Sequence, residues 1–518
     1  MKKVKIIFVN IISIILVFTF STHACANSIA PSYTSLENIT LEECNTMFNL
    51  KDLSEIELKE ICDRINGVEG LVHDDAFCLT TANAIVEYYY DKYSKQKTSI
   101  PDYLSSAYNT IKNNEEMRVS TYSYRSAQYI ISNSGRFRVY YNNAASYSNL
   151  TALARLTGNI LDALYNKYCI VNGFPDPIGT TNDGYYNVDI IPENELGNSG
   201  VTSHPIASAP EKTHISISQD QLVNHYTNIN NSVIGVLAHE FMHAILSAAD
   251  IFSSQSLESA SLHEAMARAV GIETNPNYAN RYNVCSDISS FILQLDSSIG
   301  DINTSVFING SAVFYLSIFE EYGDWEVMST MVNNYDFDYS VLTNLNYTLN
   351  NSFSDSIGNR YEKFIIYAVD PDYYFESSPN NNQNDLVNPA YSWGSPNPTY
   401  QIIVSSANET TISPSASLPH LACHYIKISA NNTSIKRITV TVYYTIPNAS
   451  NAESYGACII HNSLTDSYTV NSGIVYDDEL YTSFSMCISG NDVAYIAIAN
   501  GGLYDELTYS CTISVSNQ

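Results

Sequence analysis

The sequence predicts an α+β domain followed by an antiparallel β-sandwich, and three observations carry that prediction. Strand-like segments precede a run of helical segments between about 116 and 370. A stretch rich in Pro, Asn and Ser, 371–399, then breaks all periodicity. Beyond it, short alternating segments separated by Asn and Gly fill the rest of the chain. Strands first and helices afterwards is the order of segregated layers, not of alternating βα units. The composition suits such a chain. Of 518 residues 45% are apolar, and 41 Tyr with 18 Phe are too many aromatics for a polypeptide that cannot fold.

Residues 1–26 read as a signal peptide: Lys2, Lys3 and Lys5 open it, 6–20 is an apolar run, and Ala24-Cys25-Ala26 is a small-residue cleavage site. The chain is therefore expected to be secreted, with cleavage near Ala26. A lipoprotein anchored at Cys25 would carry a bulky apolar residue three positions earlier, where Thr22 stands. No later stretch approaches the roughly 20 apolar residues of a transmembrane helix. Residues 27–115 are helical in pattern, notably 41–65 and 82–93, and read as a propeptide, a cap, or a first layer of the next domain.

The domain proper is assigned to 116–370. Its segments 136–141 (RFRVYY), 186–191 (YNVDII) and 213–217 (THISI) are strands, 151–168 is a helix, and 173–177 (GFPDP) is a turn. A strongly apolar helix covers 233–248, with further helices as far as 370. After the linker 371–399, the domain 400–518 is assigned strands near 425–429, 437–444, 457–460, 486–488, 495–499 and 511–515, spaced as in a sandwich.

Charge and cysteines narrow the function. Asp and Glu number 53 against 24 Lys and Arg, a formal net charge of −29, and no basic patch stands out, so nucleic acid is excluded as a partner. Without Cys25 the chain keeps an odd set of cysteines. The last four (Cys423, Cys458, Cys487, Cys511) lie in the strand-rich region and are expected to form two disulfides of unspecified pairing. No CxxC spacing occurs, which removes zinc-knuckle chemistry.

The decisive residues are His239-Glu240-Phe241-Met242-His243. On a helix, positions i and i+4 share a face with Cβ atoms about 5–6 Å apart, which lets two imidazoles bind one Zn²⁺. Glu240 then lies beside the metal without having to bind it, as the general base of a hydrolase. Composition alone predicts about 0.02 such matches. The motif also sits in VIGVLAHEFMHAIL, where buried polar groups are costly unless paired or metal-bound. A third protein ligand is needed. Glu264, 21 residues past His243, is the best candidate, because Ala265, Ala267 and Ala269 let its helix approach the first closely. Glu258 and His263 stay as alternatives, and Asp250 is too near in sequence to return. Position 249 is Ala, which excludes the arrangement with a third ligand six residues past the second His.

HEFMH with a distal glutamate resembles the gluzincin branch of zinc peptidases, of which thermolysin is the familiar member. Residues 130–335 are similar to a bacterial family of secreted metalloproteases whose active helix reads AHEFFHAxQ and whose glutamate helix reads EGTATWxE. Here those segments are 238–246 and 264–273, with GRFRVYYN, YYNVDII, 310–315 (GSAVFY) and 321–323 (EYG) also similar. The resemblance implies a zincin-like fold, a mixed sheet with an active-site helix and a helical subdomain. It also implies zinc on His239, His243 and Glu264, with Glu240 activating water against a peptide bond of a protein or peptide substrate. A Tyr or His usually steadies the oxyanion in such enzymes, and Tyr315 is the candidate. Two departures stand out: Ala265 replaces the family's Gly, and Arg268 occupies the place where thermolysin has an Asp that orients a zinc histidine. A second reading is a secreted binding protein with a structural or degenerate zinc site, whose sandwich recognises a surface polymer or protein.

Overall fold

In the computed structural model, the described residues are 55–66, 99–111, 128–141, 150–177, 184–191, 200–203, 214–220, 232–249, 257–275, 310–336, 339–369, 400–404, 410–412, 415–430, 435–445, 454–462, 467–475, 481–490, 492–502 and 506–517, with a few isolated positions. The segment read as a signal peptide, 1–26, and the expected linker, 371–399, lie outside them. The described residues up to 336 form one compact unit and those from 339 onward a second. The chain is of mixed α and β content, an α+β protein.

In the first unit, helix α1 (Glu55–Ile65) buries Leu58 and Cys62 against Leu104, Ala107 and Ile111, a small helical core of its own. The sheet consists of β1 (Gln128–Ile131), β2 (Phe137–Tyr141), β3 (Tyr186–Ile191), β4 (Gly200–Ser203) and β5 (His214–Ser218), in the order β1-β2-β3-β5-β4. β2, β3 and β5 run parallel, while β1 and β4 are antiparallel strands at the two edges. The register lines up Val139, Val188, Ile215 and Thr202 in one buried row across the sheet.

Helix α2 (Leu150–Tyr165) lies against β1 and β2, ending in a π-helical turn, Asn166–Val171. Gly158 permits the close approach: a Cβ there would stand 3.1 Å from Cβ of Ser132. Asp162 ties the helix to the β1–β2 turn by accepting from Ser132 Oγ at 2.7 Å and from the Ser134 amide at 2.8 Å. Helix α3 (Ser232–Ala248) is apolar all round and buried on nearly every side, as a central helix must be. Phe241 anchors it to the sheet, its ring edge-on to Phe137 at 5.8 Å.

Helix α4 (Leu257–Thr274) packs along α3, with Ala265, Ala267 and Ala269 fully buried. Its far end is held by Glu273, which accepts from Lys167 Nζ at 2.6 Å and from Tyr168 Oη at 3.1 Å. Helix α5 (Ala312–Tyr322) packs on α4, stops at Gly323 in the left-handed region (φ 75°), and leads to α6 (Glu326–Asn333).

The second unit begins with α7 (Val341–Thr348) and α8 (Ile357–Tyr367), each opened by a serine cap, Ser340 and Ser356. Helix α8 packs on the sheet that follows, where Tyr425 Oη donates to the Ile365 carbonyl at 2.8 Å. The compact unit holding the sandwich thus starts before 371–399. Its strands are β6 (Tyr400–Val404), β7 (Thr410–Ile412), β8 (Ser415–Leu418), β9 (Ala422–Ala430), β10 (Lys436–Thr445), β11 (Ser454–Asn462), β12 (Ser467–Val475), β13 (Tyr481–Ile488), β14 (Asp492–Asn500) and β15 (Leu507–Asn517). One sheet runs β13-β10-β15-β7 with β8 also on β15, and the other β12-β11-β14-β9-β6. All pairs are antiparallel except β6 with β9. Ile426, Ile428, Ile496 and Ile498 from one sheet share a core with Ile438, Val440, Ile513 and Val515 from the other.

The two expected disulfides are corrected here: Cys423, Cys487 and Cys511 are free thiols. Cys487 lies opposite Arg437 and Cys511 opposite Val442 on the two sides of β10. Five residues of strand separate them by about 17 Å, and Cys511 is buried while Cys487 is exposed.

Candidate metal centre

Helix α3 presents His239 and His243 on one face, one turn apart, and their Nε2 atoms lie 3.1 Å apart. Helix α4 brings Glu264 to the same point: its Oε2 is 3.5 Å from His243 Nε2 and 3.8 Å from His239 Nε2. All three side chains are buried, and each turns one donor atom toward the others, within 4.8 Å of one another. Two ligands about 2.05 Å from a tetrahedral ion stand about 3.3 Å apart. The observed edges of 3.1, 3.5 and 3.8 Å bracket that spacing. The triangle fits a small tetrahedral cation, and two imidazoles with one carboxylate are the donor set zinc takes in hydrolases.

Protonation states suit a metal site as well. Burial pushes His239 down to about 3, against a partial counterweight from Glu264, so its imidazole is neutral and its lone pair available. His239 also hydrogen-bonds the main-chain carbonyl of Ala267 on α4. A metal-ligating histidine commonly fixes its ring through such a bond. Burial alone would raise Glu264, but the Arg268 guanidinium and the two imidazoles beside it hold its carboxyl well below the usual range. Arg268 Nε donates to Glu264 Oε1 at 2.7 Å, so the two carboxylate oxygens face different partners.

Glu240, on the same helix, lies within the electrostatic reach of His243 and Glu264 and is held by Thr202. Thr202 Oγ1 lies 2.8 Å from its Oε2 and 2.7 Å from its main-chain carbonyl. Thr202 is the polar end of the buried row Val139–Val188–Ile215–Thr202, so the edge strand delivers one hydroxyl to α3. Burial lifts Glu240 to about 7 despite the lowering effect of His243 and of the Thr202 hydroxyl.

The structure therefore brings His239, His243 and Glu264 together, with Glu240 on the same helix. His263, an alternative ligand, stacks on His243 with ring centroids 5.8 Å apart and planes 15° from parallel. Tyr315 lies on α5, the helix packed on α4, and is 6% exposed. Asp250 and the side chain of Glu258 lie outside the described residues. Thr202 and the Ala267 carbonyl were missed by sequence reasoning. The only signal for Thr202 is a polar residue in a short strand whose partner lies 38 positions away.

No protein-family model and no curated protein sequence matches the chain. Among solved structures, the Aeromonas hydrophila periplasmic inhibitor of g-type lysozyme, PliG, is similar at 10% identity over 23% of this chain and 96% of its own, with a TM-score of 0.14. A family GH115 4-O-methyl-α-glucuronidase with specificity for decorated arabinogalactans, BtGH115A, is similar at 9% identity over 67% of this chain and 53% of its own, with a TM-score of 0.15. Neither likeness carries an inference about fold or activity. Among the described residues no helix is long and apolar enough to cross a membrane.

Proposed function

We propose that this chain is a secreted zinc-dependent endopeptidase of the gluzincin type, with a zincin-like catalytic domain in its first unit. The observation that carries the reading is the buried triangle of His239 Nε2, His243 Nε2 and Glu264 Oε2, with edges of 3.1, 3.5 and 3.8 Å. His239, His243 and Glu264 would hold the metal. Zinc bound there supplies Lewis acidity and makes water a competent nucleophile near neutral pH.

The rest is done by the chain. Glu240 is the proton carrier: burial lifts its carboxyl above the usual range, toward the condition for efficient general acid–base work near neutrality. Thr202 steadies it, its hydroxyl lying within hydrogen-bond distance of both Oε2 and the helix carbonyl. The neutral state of His239 and the ionised state of Glu264 keep both as electron-pair donors. Tyr315 is proposed as the hydroxyl that steadies the oxyanion, from a helix adjoining α4. The mixed sheet, with an antiparallel edge strand beside α3, supports the zincin-like assignment.

The test is hydrolysis of an unfolded protein such as reduced casein by the purified protein. Activity is expected in the wild type and lost by at least a thousandfold in Glu240→Gln, with zinc content unchanged. A Glu240→Gln protein that still cleaves casein at the wild-type rate would remove Glu240 as the base, and zinc without any hydrolysis would favour a binding protein.

A further inference from the structure

The glutamate ligand is held in an uncommon way. Glu264 and Arg268 are i,i+4 neighbours on α4, both buried (1% and 3% exposed), joined by the 2.7 Å bond from Nε to Oε1. A charge-assisted bond of this kind, sealed from water, fixes direction strongly. The other oxygen, Oε2, is the one near both imidazoles. A carboxylate with both oxygens free can chelate a divalent ion through the pair, which fills a coordination position. A catalytic site needs that position for water and substrate.

We propose that Arg268 is a positioning residue of the metal centre: by engaging Oε1 it leaves Oε2 as the one ligating oxygen of Glu264 and so keeps a coordination position open. The inference rests on the reading that the triad holds zinc. It also gives a reason for a cation beside a cation site. His239 takes its orientation from the Ala267 carbonyl, and Arg268 orients the carboxylate instead. Thus α4 supplies the ligand and the groups that aim two of the three ligands.

Two substitutions of similar length separate direction from charge. In Arg268→Gln, the side-chain amide nitrogen occupies the same place along the chain as Arg Nε, keeping the donor and losing the charge. In Arg268→Met, both are lost. Cobalt(II) replaces zinc as a spectroscopic probe, since four-coordinate sites absorb several-fold more strongly in the visible than five-coordinate ones. Arg268→Gln is expected to keep the wild-type cobalt spectrum and a zinc affinity within about threefold of wild type. Arg268→Met is expected to lose several-fold in visible absorption and about ten- to a hundredfold in zinc affinity, the usual effect of removing a group that orients a ligand. Circular dichroism of the metal-free variants reports folding. Should the Met variant not fold, the Gln variant decides: a spectrum shifted to five-coordinate intensity overturns the proposal. It is likewise overturned if Met matches wild type, or if Gln falls as far as Met, which would make charge and not direction the cause. Failure of the wild type itself to take up zinc or cobalt sinks the zinc reading, an outcome distinct from those three.

Discussion

At Glu240 burial and local partners pull in opposite directions, and burial wins. Its carboxyl is lifted to about 7 from an ordinary 4.5. The folded state therefore holds a proton that the unfolded state releases between those values. The resulting stabilisation is fully present below about 4.5 and is lost as pH rises through about 7. In the metal-free protein, Glu240→Gln should gain on wild type as pH goes from 4.5 to 8, by on the order of 3 kcal/mol. Urea melts across that range check this, and a constant difference would contradict the lifted carboxyl. Thr202→Val keeps the shape and removes a hydroxyl within hydrogen-bond distance of the carboxylate and the main-chain carbonyl of Glu240. It should cost about 1–3 kcal/mol in stability and lower casein hydrolysis at least tenfold while zinc is retained; unchanged turnover would make the hydroxyl incidental. The approach of the two histidines was legible because helical spacing puts positions i and i+4 on one face. Thr202 was not, since its partner lies 38 positions away on α3 and its strand is four residues long. Arg268 was visible as a departure, but which oxygen it takes depends on side-chain direction alone.

Among the elements, α3 and α4 decide the site. The distance between them is set by small residues, of which Ala265 stands next to Glu264 and is fully buried. Ala265→Leu should force the helices apart, costing about 1–3 kcal/mol by overpacking and weakening zinc binding at least tenfold. Calorimetry and chelator competition measure both effects, and unchanged affinity would mean that Glu264 is placed by something other than helix spacing. The strands 136–141, 186–191 and 213–217 were readable from alternation, because each carries a buried face. The edge strands β1 and β4 were not: four residues leave too little period to detect. The disulfides were misjudged for a related reason. An even number of cysteines in a strand-rich region says nothing of strand register or face, and here register puts Cys487 and Cys511 apart.

For the whole molecule, each unit has its own core, and only the first carries the triad. A ligand that binds the native state raises the free energy of opening for the structure it touches. Zinc should therefore slow amide exchange in α3 and α4 while leaving β9 to β15 unchanged, as hydrogen-exchange mass spectrometry would show. Equal protection everywhere, or none in α3, would place the ion elsewhere. The net charge of −29 keeps such a chain soluble and sets no chemistry. The order of strands, helices and sandwich was legible because it is written in period and composition. That α7 and α8 belong with the sandwich was not, since it depends on which apolar face they cover.

Elemental analysis of the protein, purified without added metal, addresses the central claim most directly. One zinc per chain is predicted in the wild type and in Glu240→Gln, with less than a tenth of that in His243→Ala and Glu264→Ala. A wild type without zinc, or a His243→Ala protein that keeps a full equivalent, would contradict it.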